Sequence, residues 1–173
     1  NDDDVSISTI GLTEGNTYYI SVAPYSASRA GSFTLCLSDV KDYDYYEAAE
    51  DVTSLLGNCS ANEAYTTIGA TADKDKASCW VISGNQINRW FKFVAPTTGF
   101  VQSTIKIDGS EGTQRNTNTA IWDSNGTTEI ACNSYTSSAD NVIVGSDGLT
   151  PGNTYYISVA PYSSSSDGTF TLC

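Results

Sequence analysis

Asp42, Asp44 and Glu47 are the side chains in this sequence best suited to holding a metal ion. They lie close together and offer hard carboxylate oxygens of the kind calcium takes. Their spacing is not that of a helix-loop-helix calcium site, and no glycine stands at the turn such a loop needs. A plainer reading competes: an acidic linker that keeps neighbouring units hydrated and apart. Calcium is therefore the one cofactor expected, if any is bound. Five cysteines, Cys36, Cys59, Cys79, Cys132 and Cys173, are the next reactive set. There is no histidine and no Cys-x-x-Cys, so zinc is a poor fit and disulfides in an oxidising compartment are expected. The last four cysteines can pair in three ways; the favoured pairing is Cys59–Cys79 with Cys132–Cys173.

Without histidine, neither a Ser-His-Asp nor a Cys-His nucleophile can be assembled. A glycosidase needs only two carboxylates, but Asp108, Glu111 and Asp123 lie in or beside polar turns, where solvation accounts for them. The chain is expected to be non-catalytic. Aromatic rings that could stack on a sugar are Tyr25 and Tyr162, each just past a strand end, and Trp122, with Tyr19, Tyr135 and Tyr156 beside them. The competing role for such rings is cross-strand pairing on a sheet face. Asn58-Cys-Ser60 and Asn125-Gly-Thr127 fit the glycosylation sequon, a weak signal in a chain rich in Asn, Ser and Thr.

The elements that must carry these residues are announced by a repeat. Thr17-Tyr-Tyr-Ile-Ser-Val-Ala-Pro-Tyr25 recurs as Thr154-Tyr-Tyr-Ile-Ser-Val-Ala-Pro-Tyr162. Residues 1–36 align without a gap on residues 138–173, with 23 of 36 positions identical, at an offset of 137 (173 minus 36). That period exceeds the roughly 20–50 residues of a solenoid, so each copy should hold its own core. Residues 1–36 are read as the closing strands of a preceding repeat, 37–58 as an acidic linker and repeat opening, and 59–173 as the repeat core. Cys36 is the earlier copy of Cys173, and its partner would precede Asn1, which explains the odd count.

Within the repeat, residues 17–23 alternate Tyr18, Ile20, Val22 against Tyr19, Ser21, Ala23, as a half-buried strand does. A second strand over 32–36 makes an antiparallel hairpin with it, and residues 154–173 repeat that hairpin. Residues 4–9 read as another strand and 11–15 as a turn. Residues 46–56 have weak helical character and predict a short helix or turn. Strands are expected over 66–71, 78–82, 89–95, 100–107, 118–123, 128–132 and 142–145, with a turn at Gly84-Asn85. Phe91, Phe93, Val101, Ile105 and Ile107 are the expected core. No amphipathic helices separate these strands, so the fold class is all-β, an antiparallel β-sandwich.

The 173 residues carry 8 basic and 20 acidic side chains, a net charge of −12. Such a surface repels nucleic acid and anionic membranes. No apolar run approaches the roughly 18 residues of a membrane span. Charge, cysteines and turn-rich composition together suit a secreted or cell-surface protein.

Several motifs in order then resemble a known family. They are Trp90-Phe-Lys-Phe-Val-Ala-Pro-Thr-Thr-Gly99, Thr119-Ala-Ile-Trp-Asp123, Ile130-Ala-Cys132, Gly148-Leu-Thr-Pro-Gly-Asn-Thr-Tyr-Tyr156 and Gly168-Thr-Phe-Thr-Leu-Cys173. Residues 40–173, and again 1–36, resemble the bacterial pre-peptidase C-terminal domain in the cysteine-bearing form of secreted Bacteroidetes proteins. The resemblance implies a jelly-roll-like sandwich that serves as an appendage of secreted hydrolases or as a tandem module of adhesins. It also implies that some members bind polysaccharide, fibrous protein or calcium. The chain departs from the family where Tyr46 replaces the first family cysteine in Tyr43-Asp-Tyr-Tyr-Glu-Ala-Ala49, and where another cysteine before Cys132 is absent. Asn85, Gln86 and Asn88 stand where calcium-binding members carry aspartates.

These observations converge on a structural and interaction module of a tandem-repeat adhesin or filament. Its expected partners are neighbouring repeats, a glycan or other surface ligand, and further copies joined through edge strands. A carbohydrate-binding appendage of a secreted hydrolase is the alternative.

Overall fold

The computed structural model describes residues 16–35, 43–83 and 86–173, and the chain divides into two units, Asn1–Val40 and Lys41–Cys173. The expected strand over 4–9, the turns at 11–15 and 84–85, and the side chains of Cys36 and Asp42 lie outside the described residues.

Among the described residues the second unit is a β-sandwich of nine strands, β1 (Glu50–Asp51), β2 (Tyr65–Thr66), β3 (Arg89–Val94), β4 (Val101–Lys106), β5 (Asn118–Trp122), β6 (Glu129–Ser134), β7 (Val142–Ser146), β8 (Thr154–Ala160) and β9 (Thr169–Leu172). One sheet runs β1-β3-β8-β5-β6 and the other β2-β9-β4-β7. All pairings are antiparallel except the short β1–β3 contact. Alternation does the sorting. On β4, Val101, Ser103 and Ile105 turn inward while Gln102 faces out. Between the sheets, Phe91, Phe93 and Val159 meet Ile105, Phe170 and Leu172. The expected core residues Phe91, Phe93, Val101, Ile105 and Ile107 are all buried.

A second apolar layer lies on the outer face of the five-stranded sheet. Trp90, Ala120, Trp122 and Ala160 pack there under Ala77 and Trp80. The central strands β5 and β8 are therefore covered on both faces, and β8 is more deeply buried than its alternating sequence implies. The cover is irregular chain: the strand expected over 78–82 does not form, and the one over 66–71 shrinks to Tyr65–Thr66. The short helix or turn expected over 46–56 takes the form of two 3-10 turns, Tyr46–Ala48 and Thr53–Leu55, flanking β1.

The hairpin of residues 154–173 is corrected. Strands β8 and β9 lie in opposite sheets. The chain crosses the end of the sandwich at 161–168, where Tyr162 accepts from the amide of Ser83 (2.8 Å) and Ser166 from that of Arg115 (2.9 Å). β8 takes its hydrogen bonds from β3 and β5, and β9 from β2 and β4. The same correction reaches the first unit. Residues 17–23 and 31–35 form no strand, and the regular element among residues 16–35 is a 3-10 turn at Ala27–Arg29. Two segments that do not pair with each other have no ladder without the strands that should flank them.

The disulfide pairing is also corrected, to Cys59–Cys173 and Cys79–Cys132. Cys59 runs beside β9, where the Ser60 amide donates to Leu172 O (2.8 Å), so it faces Cys173. Cys79 sits in the covering segment above β6, its amide 3.3 Å from Cys132 Sγ. Each bridge thus ties irregular chain to the sandwich, one just past the end of β9 and the other within β6, rather than closing a local loop.

Candidate functional site

Of the acidic trio, Asp42 lies outside the described residues, and Asp44 and Glu47 have different surroundings. Asp44 is buried and ion-paired, with Arg89 Nη1 2.9 Å from its Oδ1. Thr71 donates its amide to the same oxygen (2.8 Å) and its hydroxyl to Oδ2 (2.6 Å). Arg89 in turn donates to Thr66 O (3.1 Å) and Ile68 O (3.0 Å), and lies 5.1 Å from the centre of the Tyr43 ring. A buried carboxylate with this many donors is balanced already; its role is to fasten 43–48 and 66–71 to β3. Glu47 is exposed. Among the described residues no group of three acidic or cysteine side chains gathers as a metal site.

Tyr46, standing where the resembled family has a cysteine, works as a packing residue. Its ring meets Trp90 edge-on (5.7 Å) and lies against Tyr156 (4.3 Å), with Lys74 Nζ 4.4 Å above it. Its hydroxyl donates to Ser124 O. Burial, then the hydrogen bond with Tyr156 and nearby negative charge, pushes this phenol well above its ordinary range. Gly126, at φ +66°, lies against the same ring with no room for a Cβ.

Of the aromatic candidates for sugar stacking, Trp122 is withdrawn. It is 3% exposed, and its indole N–H donates to Ser158 Oγ (2.6 Å) beneath the Trp80 cover. Trp122 lies on the outer face of its sheet, and the irregular segment that buries it has no periodic signal. Tyr156 is committed to Tyr46. Tyr25 and Tyr19 are almost fully exposed in the first unit. Tyr162 and Tyr135 come together, edge to face with centroids 6.0 Å apart, both half-buried. They stand at the end of the sandwich where residues 113–117, 135–141 and 161–168 meet. There the Tyr135 amide donates to Thr117 O (2.9 Å) and the Asn116 amide to Ser138 O (3.1 Å). The two rings thus stand together on hydrogen-bonded loops. The pairing of Tyr135 with Tyr162 is not visible in sequence, because the loops after β6 and β8 are separated along the chain and only the fold brings them together.

The second unit also carries a cleft of about 330 Å3 between the sheets beside the Cys59–Cys173 bridge. Its walls are apolar, with Phe93 and Ile157 on one side and Val101 and Leu172 on the other. No helix among the described residues is long and apolar enough to cross a membrane. No curated protein matches the chain. Residues 47–172 match the model of the T9SS-associated galactose-binding domain-like family, and the chain belongs to that family.

Proposed function

We propose that this chain is a non-catalytic module of a secreted tandem-repeat surface protein, an adhesin or filament built from pre-peptidase C-terminal-like sandwiches. The repeat carries this reading: 23 of 36 positions are identical at an offset of 137. A second supporting observation is the span of the family match, 47–172, which falls within one period. T9SS association and two disulfides fit a secreted protein. In an array, residues 1–36 supply the closing strands of the preceding sandwich, and neighbouring repeats are the first partners. Joining of separate chains through these strands is the route to a polymer.

The test is to place residues 37–137 ahead of Asn1, which rebuilds a complete first repeat. Two sandwiches of equal stability and one particle mass in solution support a cis array. Mass that grows with concentration in the unextended chain supports strand exchange between chains. A first repeat that stays unfolded in the rebuilt chain defeats the array reading.

The family's name and the Tyr135–Tyr162 pair favour a second reading, a glycan-binding appendage of a secreted enzyme. Micromolar binding on a glycan array that Tyr162→Ala abolishes would select it; no binding would leave the structural module.

A further inference from the structure

The cleft beside the Cys59–Cys173 bridge has the geometry of an unfinished strand. Cys173 exchanges two hydrogen bonds with Thr104, amide to carbonyl at 2.8 and 3.0 Å. Along β4, alternate residues turn their backbone groups to opposite neighbours. Thr104 faces β9, and Gln102 turns its N–H and C=O the same way. Val101 and Ser103 face β7, opposite Ser146 and Val144. Gln102 therefore stands opposite a place two residues beyond Cys173.

The side chains agree with the backbone. Phe170 and Leu172 point from β9 into the core, so by the strand period of two the residue after Cys173 points there as well. Its place is across from Ser103, the smallest of the three inward residues of β4, which stand in the order Val101, Ser103, Ile105. That short side chain leaves a pit in the wall. Leu56 and Phe100 stand partly exposed at the rim. The earlier copy of the repeat supplies the residues beyond the closing cysteine: Cys36 is succeeded by Leu37 and Ser38, and then by the acidic Asp39.

We infer that the cleft is the docking slot for the leucine–serine pair that succeeds the closing cysteine of a repeat. The leucine fills the space between the sheets opposite Ser103. The serine takes the two hydrogen bonds of Gln102. Strand β9 grows by these two residues, and the acidic linker departs from a fixed point on the sandwich. In an array this anchors each joint to the domain before it. The identity of the occupant rests on the tandem reading above.

The experiment extends the full chain after Cys173 by Leu-Ser, Asp-Ser or Gly-Ser. Melting of the oxidised protein and amide exchange at Gln102 are then measured. The slot predicts that Leu-Ser raises the melting temperature by about 3–8 °C over Gly-Ser. It also predicts that exchange at Gln102 slows at least tenfold, that Asp-Ser gives neither effect, and that Ser103→Leu abolishes the gain by filling the pit from the opposite wall. Equal melting of the Leu-Ser and Gly-Ser chains overturns the proposal. So does a melting gain with Gln102 exchange unchanged, which would mark the leucine as a loose apolar tail. The tandem reading is judged separately, by whether further copies at the 137-residue period occur in the parent reading frame.

Discussion

Residues 17–35 and 154–172 are nearly the same peptide in two settings. In the second unit Val159 and Phe170 are fully buried; their counterparts Val22 and Phe33 are 56% and 66% exposed. The second copy forms two strands and the first forms none. β-propensity is the same in both, so local preference does not decide the outcome. What differs is the flanking ladder. β8 lies between β3 and β5, and β9 between β2 and β4, all within residues 65–122 of the same repeat. The peptide is strand-forming only where those partners exist.

The largest expected effect comes from that contrast. Phe170→Ala empties a site enclosed by Phe91 and Tyr65, and should cost about 3–5 kcal/mol in denaturant unfolding of the second unit. Phe33→Ala, the same substitution in the other copy, should change it by no more than about 0.5 kcal/mol. Placing residues 37–137 ahead of Asn1 should raise the Phe33→Ala cost to that of Phe170→Ala. Equal costs in the unextended chain would mean that the first copy is packed in solution.

The bridges sharpen the comparison next. Cys59–Cys173 spans 114 residues and Cys79–Cys132 spans 53. Restricting loops of that size in the unfolded chain stabilises by about 2–5 kcal/mol each. Cys59→Ala with Cys173→Ala should release β9 and lower the unfolding midpoint of the sandwich. Cys79→Ala with Cys132→Ala should also loosen the Trp80 cover, read as a red-shifted tryptophan emission before global unfolding. Mass mapping that finds Cys59 joined to Cys79 would refute both expectations.

These contrasts also mark how far sequence could be read. The inward faces of β3 and β4 were legible because Phe91, Phe93, Val101 and Ile105 obey a period of two. The sandwich class followed from strand length and turn spacing. Strand partners were not legible: the short segment between β8 and β9 is as suited to a hairpin as to a crossing between sheets. The burial of Trp122 depends on Trp80, which comes from chain with no period at all. Asp44 looked like a ligand because its sequence neighbours are acidic; its actual partner, Arg89, comes from a strand far along the chain. Local pattern reports which way a side chain turns, and long-range contacts decide what it meets.

A smaller effect tests the close contact around Tyr46. Gly126→Ala forces a side chain into the Tyr46 ring at a positive φ, and should cost about 1–3 kcal/mol. Tyr46→Phe keeps the ring and loses the hydroxyl's hydrogen bonds, to Ser124 O and with Tyr156; a cost of about 1 kcal/mol is expected. If Tyr46→Phe proved as damaging as Gly126→Ala, the hydroxyl rather than the ring would hold the outer layer.

The smallest effect is acid dependence, and among the described residues it belongs to the sandwich, since residues 16–35 contain no carboxylate. In the sandwich, Asp51 is held below its ordinary value by hydrogen bonds from the Thr53 side chain and amide, the latter 2.9 Å long. Glu111 is held down by its hydrogen bond with Lys106 at 2.8 Å. A carboxyl whose folded pKa is lowered contributes stability that is complete above its unfolded pKa. That contribution disappears as the pH falls through the lowered folded value. Both groups are solvent-facing or nearly so, and screening keeps each contribution small. The melting temperature should therefore be flat near neutrality and decline as the pH falls from the ordinary carboxylate range through the lowered folded values. Asp51→Asn should lower the neutral plateau slightly and make the acid decline shallower, because the mutant has lost a proton that folding would otherwise exclude. A steeper decline in Asp51→Asn than in the parent would reverse the sign and show that Thr53 favours the protonated acid.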